Sequence, residues 1–197
     1  MLPRLLAIVV LLVVTGCHGS VPKYPYASEP DPRRGEYVIG VADSLQVRVW
    51  KNPELSTDIQ VRPDGTITMP LLGDIRAAGL TPTQLKDEIR RRMSQYITDR
   101  AAIVTVAVTA VRSYEVVVSG RVGHPGVFGS NRYLTVLEAI SLAGGPTPYA
   151  ATDELLLVRR NPPGTVRRIP IRYDLLVQGQ HPEMNLILMR GDQLYMP

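Results

Sequence analysis

Two periodicities alternate along this chain, and each appears twice. Leu45-Gln46-Val47-Arg48-Val49-Trp50 alternates apolar and polar side chains, the period of a half-buried strand. Residues 59–62 and 66–69 flank Pro63-Asp64-Gly65, where proline presets φ and glycine admits a positive one, so a hairpin is predicted. Thr81-Pro82-Thr83-Gln84 has the form of a capping box with proline at the first helical position. Leu85, Ile89, Met93 and Tyr96 follow at helical spacing, predicting an amphipathic helix over 82–96. The valine-rich stretch 102–111 reads as a closing strand.

The same grammar then repeats. A β-branched run at 114–119 leads into Gly120, Gly123, Gly126 and Gly129, three residues apart. Thr135-Val136-Leu137-Glu138 is a second capping box, Val136, Ile140 and Ala143 line one helical face, and Gly144-Gly145-Pro146 ends that helix. Residues 155–159 and 166–171 flank Asn161-Pro162-Pro163-Gly164 as a second hairpin, while 186–189 and 193–196 bracket the turn Arg190-Gly191-Asp192. Mostly strands with one helix per small sheet predicts an α+β fold of two sheet-plus-helix domains, 36–112 and 113–197.

The N-terminus follows a different rule. Arg4 precedes an apolar run over 5–14, too short to span a bilayer as a helix, where roughly 20 residues are needed. Val14-Thr15-Gly16-Cys17 follows, and Cys17 is the chain's one cysteine. This resembles the bacterial lipoprotein signal: 1–16 as signal peptide, cleavage between Gly16 and Cys17, and lipid attached to the Cys17 sulfur. The alternative is an ordinary cleavable signal with an incidental cysteine. His18 stands where an aspartate would mark inner-membrane retention, so the resemblance implies the outer membrane. Acylation of Cys17 would leave no thiol for a disulfide, a metal or a nucleophile. Residues 17–35, with Pro22, Pro25, Pro30 and Pro32, read as a lipidated extended linker.

Charge and candidate chemistry narrow the function by exclusion. A net charge of +4 with scattered arginines lacks the continuous basic face that nucleic acid requires. The three histidines, His18, His124 and His181, lack zinc-site spacing, so no metal, cofactor or catalytic set is expected. Ser119 and Ser130 lie in no nucleophile elbow, and the four glycines read as tight turns rather than a phosphate cradle. Asp153-Glu154, taken as strand neighbours, would point to opposite faces and form no acid–base dyad. Arg90-Arg91-Arg92 reads as a solvated helix face with Arg92 at its apolar edge, or as a contact surface for subunits or acidic sugars. Trp50 is expected as a buried residue ending a core strand, with sugar stacking as the alternative.

These residues in order resemble the bacterial polysaccharide biosynthesis/export family. The stretch from Tyr37-Val38-Ile39-Gly40 through Asp43-Ser44-Leu45 matches its opening, followed by Arg62-Pro63-Asp64-Gly65, Pro70-Leu71-Leu72-Gly73-Asp74 and the capped helix. Val118-Ser119-Gly120-Arg121-Val122, Leu134-Thr135-Val136-Leu137-Glu138, Ala143-Gly144-Gly145 and Arg190-Gly191-Asp192 look like its SLBB β-grasp domain. The resemblance implies a non-enzymatic exporter of capsule or exopolysaccharide: a homo-oligomeric ring, often an octamer, around a channel, working with an inner-membrane copolymerase. It assigns no individual sugar-binding residue. Two departures are visible. Val41-Ala42 separate Gly40 from Asp43, and the sequence stops on a strand at Met196-Pro197 where long relatives add a pore helix. A separate outer-membrane β-barrel partner, or a purely periplasmic ring, is the expectation that follows. A monomeric sugar-binding or scaffolding lipoprotein and a periplasmic polysaccharide-acting enzyme are the competing readings.

Overall fold

The computed structural model describes residues 21–96, 103–161 and 164–197. Gly16, Cys17, His18 and the apolar run at 5–14 lie outside the described residues, as do Pro162 and Pro163 of the second hairpin turn.

In the first unit, β1 (Ser44–Val49) lies between β2 (Thr57–Gln60) and β5 (Val104–Ala110), antiparallel to both. Leu45, Val47 and Val49 point into the core, as their alternation requires. Helix α1 (Pro82–Met93) covers that core with Leu85, Ile89 and Met93, and both reciprocal capping bonds of Thr81 and Gln84 are made. The helix ends three residues earlier than the pattern predicts, and Tyr96 is exposed beyond it.

The predicted first hairpin forms only its turn. Arg62 and Thr66 close around Gly65, whose φ is +81°. Beyond it the strands separate: β2 joins β1, while β3 (Thr66–Met69) pairs with β4 (Gly73–Arg76), setting Ile67 against Ile75. The split follows from burial. Val61 bonds back to Ala42 and Asp43 while Ile67, Met69 and Ile75 enter the same core from another side.

In the second unit β6 (Glu115–Gly120) and β7 (Gly126–Gly129) form one hairpin, and β8 (Leu155–Asn161) and β9 (Thr165–Ile171) the other. The last strand, β10 (Gln193–Met196), fills the gap between them, parallel to β6 and antiparallel to β8. The resulting order, β7-β6-β10-β8-β9, is that of a β-grasp sheet, with α2 (Val136–Leu142) on one face. A short α3 (Tyr173–Val177) follows β9. Residues 186–189 do not pair with β10, as a hairpin would require; Ile187 bridges Thr135 instead. Two open inner edges outcompete one neighbouring strand, because a central β10 satisfies donors and acceptors on both sides.

The proline-rich segment departs most from expectation. Rather than standing free as a linker, it forms two short 3-10 turns, Tyr26–Ser28 and Pro32–Arg34, and Tyr26 enters the second unit's core. Its hydroxyl donates to the Pro170 carbonyl at 2.5 Å. Prolines exclude helix and central strand but not docking. The segment is held by Tyr26 and by Glu29, residue types that a reading of its prolines passes over.

Candidate functional site at the junction of the two units

The first unit's Asp43 is fully buried at the junction. One oxygen accepts from the amides of Arg112 (2.9 Å) and Ser113 (2.8 Å), in the connection between units. The other accepts from the Gly40 amide (2.8 Å) and the hydroxyls of Tyr37 (2.6 Å) and Ser113 (3.0 Å). Burial pushes its carboxyl up, but the bonds from Tyr37, Gly40, Ser113 and Arg112 outweigh that and hold it below the ordinary carboxylate value. Burial, reinforced by the bond to Asp43, lifts Tyr37 to about 12.

Arg190 closes the junction from the second unit. Its guanidinium lies 6.0 Å from the Tyr37 ring centre and donates to the Val38 carbonyl at 2.6 Å. Gly40 sits at the crossing with an ordinary φ. Glycine is needed there for space, because a Cβ would overlap Ser113 and the Arg190 guanidinium.

Beside this junction opens a cleft of about 330 Å³. Tyr37, Tyr114 and Tyr133 supply its aromatic surface, Arg33 and Arg132 its charge, and Ser130 and Asn131 its small polar groups. Tyr114 and Tyr133 meet edge to face, 5.3 Å between centres. Tyr114 is locked: its hydroxyl donates to the Leu188 carbonyl at 3.1 Å and accepts from the Leu134 amide at 2.9 Å.

A second buried charge cluster pins the N-terminal segment. Arg159 is 1% exposed and donates to Asp192 at 2.6–3.1 Å, to Glu29 at 2.8 Å and to the Ile187 carbonyl at 2.9 Å. Glu29 also binds Arg167 at 2.9 Å. These roles were not assigned from the sequence, although one signal was available. Strand alternation puts Arg159 on the inward face with Leu155 and Leu157, so a buried counter-charge had to exist.

The other sequence-marked residues scatter. Trp50 is 64% exposed, not buried. Val49 already fills the inward position, so alternation turns the next residue outward, and Lys51 follows with φ +62°. Asp153 and Glu154 are exposed in a turn ahead of β8, not on a strand. Arg91 and Arg92 both clasp Glu88, and Arg92 reaches back to the Asp74 carbonyl, so two of the three arginines fold onto their own unit. His181 pairs with the exposed Glu183, while the His124 amide bonds the Ala143 carbonyl at the end of α2. Ser119 donates to the Leu194 carbonyl and Ser130 accepts from the Arg132 amide. Two of the spaced glycines serve close packing: at Gly120, φ +91°, a Cβ would overlap the Met196 carbonyl, and at Gly123 it would press on the backbone at Ala143 and Gly144, while Gly126 and Gly129 lie in β7 with room for one. No group of three potential metal ligands occurs among the described residues, nor any helix long and apolar enough to cross a membrane.

Two sheet-plus-helix units in this order are the architecture of a known class of envelope protein. The polysaccharide biosynthesis/export family matches residues 31–109, and the SLBB domain family matches 116–170. The chain carries a polysaccharide biosynthesis/export domain followed by an SLBB domain. It is 30% identical over 182 residues to the EPS I polysaccharide export outer membrane protein EpsA of Ralstonia solanacearum, covering 80% of this chain and 46% of that protein. It is 29% identical over 178 residues to the capsule polysaccharide export outer membrane protein CtrA of Neisseria meningitidis, covering 80% of this chain and 43% of that one. With the exopolysaccharide production protein ExoF of Rhizobium meliloti (strain 1021) it shares 35% over 125 residues, covering 57% and 29%. The chain thus spans less than half the length of these relatives.

Proposed function

We propose that this chain is a non-enzymatic component of a bacterial exopolysaccharide or capsule export apparatus, lipid-anchored through Cys17 after cleavage behind Gly16. The carrying observation is that the relatives named for polysaccharide export align across both units, over 80% of the chain. Their names also support a place in the outer membrane, in line with His18 after the cysteine. Copies of the chain assemble head to tail into a ring, of which an octamer is one form, around the path of the polymer. In support, edge strands β7 and β9 expose Val127 and Val166, and the two sheets leave free outer edges for such contacts. An inner-membrane copolymerase delivers the chain.

The docked segment sharpens this reading. Only nine peptide steps separate Cys17 from the buried Tyr26, a reach of about 30 Å at 3.3–3.6 Å per residue. The anchor therefore holds the second unit near the membrane instead of paying out a long tether.

The test is secretion in a deletion strain complemented with wild type or Cys17→Ala. The variant is expected to leave the membrane fraction and to stop secretion. Tight membrane retention of Cys17→Ala would remove the anchor, and unchanged secretion on deletion would remove the export role. Electron microscopy of the detergent-extracted protein measures the ring; isolated single copies would favour the sugar-binding or scaffolding alternative.

A further inference from the structure

The cleft beside the junction holds more recognition chemistry than the fold uses. Asp43 has five donors and Tyr114 is bonded on both sides, so both are committed to structure. Tyr133 differs. Its ring is half-buried, yet among the described residues its hydroxyl has no hydrogen-bond partner, and neither does the exposed Asn131 side chain beside it. Half-buried tyrosines offering a flat apolar face and a free polar tip suit ligands that are themselves apolar on one face and hydroxylated at the rim.

Charge narrows the ligand further. Arg33 and Arg132 line the cleft and are paired with Asp31 and Glu138. Arg190, standing over Tyr37, bonds only neutral oxygens of Val38 and Tyr37, and its charge is felt at Tyr133. The two lining guanidiniums are thus balanced, and Arg190, beside the cleft over its Tyr37 wall, adds a third that no carboxylate meets among the described residues; guanidinium binds carboxylate with two parallel donors.

We propose that this cleft binds one carboxylate-bearing sugar unit of the exported polymer, its ring on Tyr133, its hydroxyls at Asn131 and its carboxylate at Arg132 and Arg190. The assignment rests on the export reading and adds the substrate's charge class and contact point. A volume of about 330 Å³ takes one unit rather than a polymer segment. Affinity must be weak, on the order of millimolar, because a conducted chain has to leave each site it enters.

The test is titration of the detergent-extracted full chain with trigalacturonate, and with maltotriose as the uncharged control, followed by calorimetry and NMR. Trigalacturonate is expected to bind and maltotriose to bind at least about tenfold more weakly, the gap shrinking at high salt. Tyr133→Ala should weaken trigalacturonate about tenfold while Tyr133→Phe, which keeps the ring, stays within about threefold. Arg132→Gln and Asn131→Ala, both at exposed positions, provide variants whose folding is not at issue; the first should erode the preference for the acidic sugar. Equal binding of the two sugars, undiminished binding by Asn131→Ala together with Arg132→Gln, or a cleft filled by a second copy so that Tyr133→Phe alters sedimentation and trigalacturonate does not bind, would each overturn the assignment. Lost secretion on gene deletion combined with absent trigalacturonate binding sinks the cleft alone. Unchanged secretion on deletion sinks the export reading, whatever the cleft binds.

Discussion

Each unit buries an aspartate, and the two are stabilised in opposite ways. Asp43 is surrounded by neutral donors, three of them backbone amides, and most of these lie within six residues of it or in the adjoining connection. Asp192 instead meets a buried guanidinium that also serves Glu29, so three distant chain segments converge on Arg159. The Gly40 amide and the Tyr37 hydroxyl come with the local turn, while the amides of Arg112 and Ser113 reach Asp43 once the connection after β5 is laid beside it. A charge cluster drawn from positions 29, 159 and 192 exists only when the N-terminal segment, β8 and the turn before β10 are all in place. The first arrangement joins the two units; the second ties down the segment leading from the proposed anchor.

The comparison breaks most severely at Arg159. Arg159→Met leaves Asp192 buried without a cation and Glu29 with Arg167 alone, and is expected to cost about 3–5 kcal/mol. Urea denaturation reads the loss, and hydrogen exchange should place it in β8 and β10, with proteolysis at Arg33 and Arg34 accelerated as the segment undocks.

Asp43→Ala should cost less, about 2–3 kcal/mol, because the stranded donors are neutral. Its exchange signature belongs at 37–43 and 112–113. A loss exceeding that of Arg159→Met would invert the comparison.

The pH dependence separates the two further. Asp43 titrates below its ordinary value in the folded chain, so its stabilisation is present above pH 3.8 and disappears as pH falls through the lower folded value. Thermal unfolding of Asp43→Asn between pH 5 and 2, on the order of that titration range, should therefore show a shallower acid loss than wild type. At the alkaline end Tyr26 and Tyr37, both pushed to about 12, favour the neutral phenol in the fold. Their contribution is complete below pH 10 and is lost as pH rises toward 12.

Smaller still is Tyr26→Phe, which removes one hydrogen bond to Pro170 and keeps the ring in the core. It is expected to lower stability by about 1 kcal/mol in denaturant titrations. Thr81→Ala and Thr135→Ala should each cost about 1 kcal/mol, and equally, since both helices start with the same complete capping box. A clear inequality between them would show that one unit leans on its cap more than the other.

Patterns carried by neighbouring residues were legible. The two capping boxes, the inward triplets Leu85-Ile89-Met93 and Val136-Ile140-Ala143, and the alternation of β1 all depend on spacings within one or two turns, where covalent geometry dictates the face. Even Trp50 was readable, since the rule that buries Val49 points its neighbour outward; a general preference for buried tryptophan overrode it. The junction was half visible. The motif from Tyr37 to Leu45 and the turn Arg190-Gly191-Asp192 drew attention as pieces, but nothing along the chain says that Arg190 stands on Tyr37 or that Asp43 grips residues 112 and 113.

By itself the sequence determined where helices begin, which faces are apolar, and that two α+β units follow one another, because those properties follow from contacts between near neighbours. Only the tertiary structure decided that β10 fills the middle of its sheet, that the proline-rich segment is docked, and that three tyrosines share one cleft with Arg190 standing over one of them. Such choices are made by competition for strand edges and for buried counter-charge. The partners lie 130 and 138 residues apart at Glu29 and 152 apart where Arg190 meets Val38, beyond the reach of any local pattern.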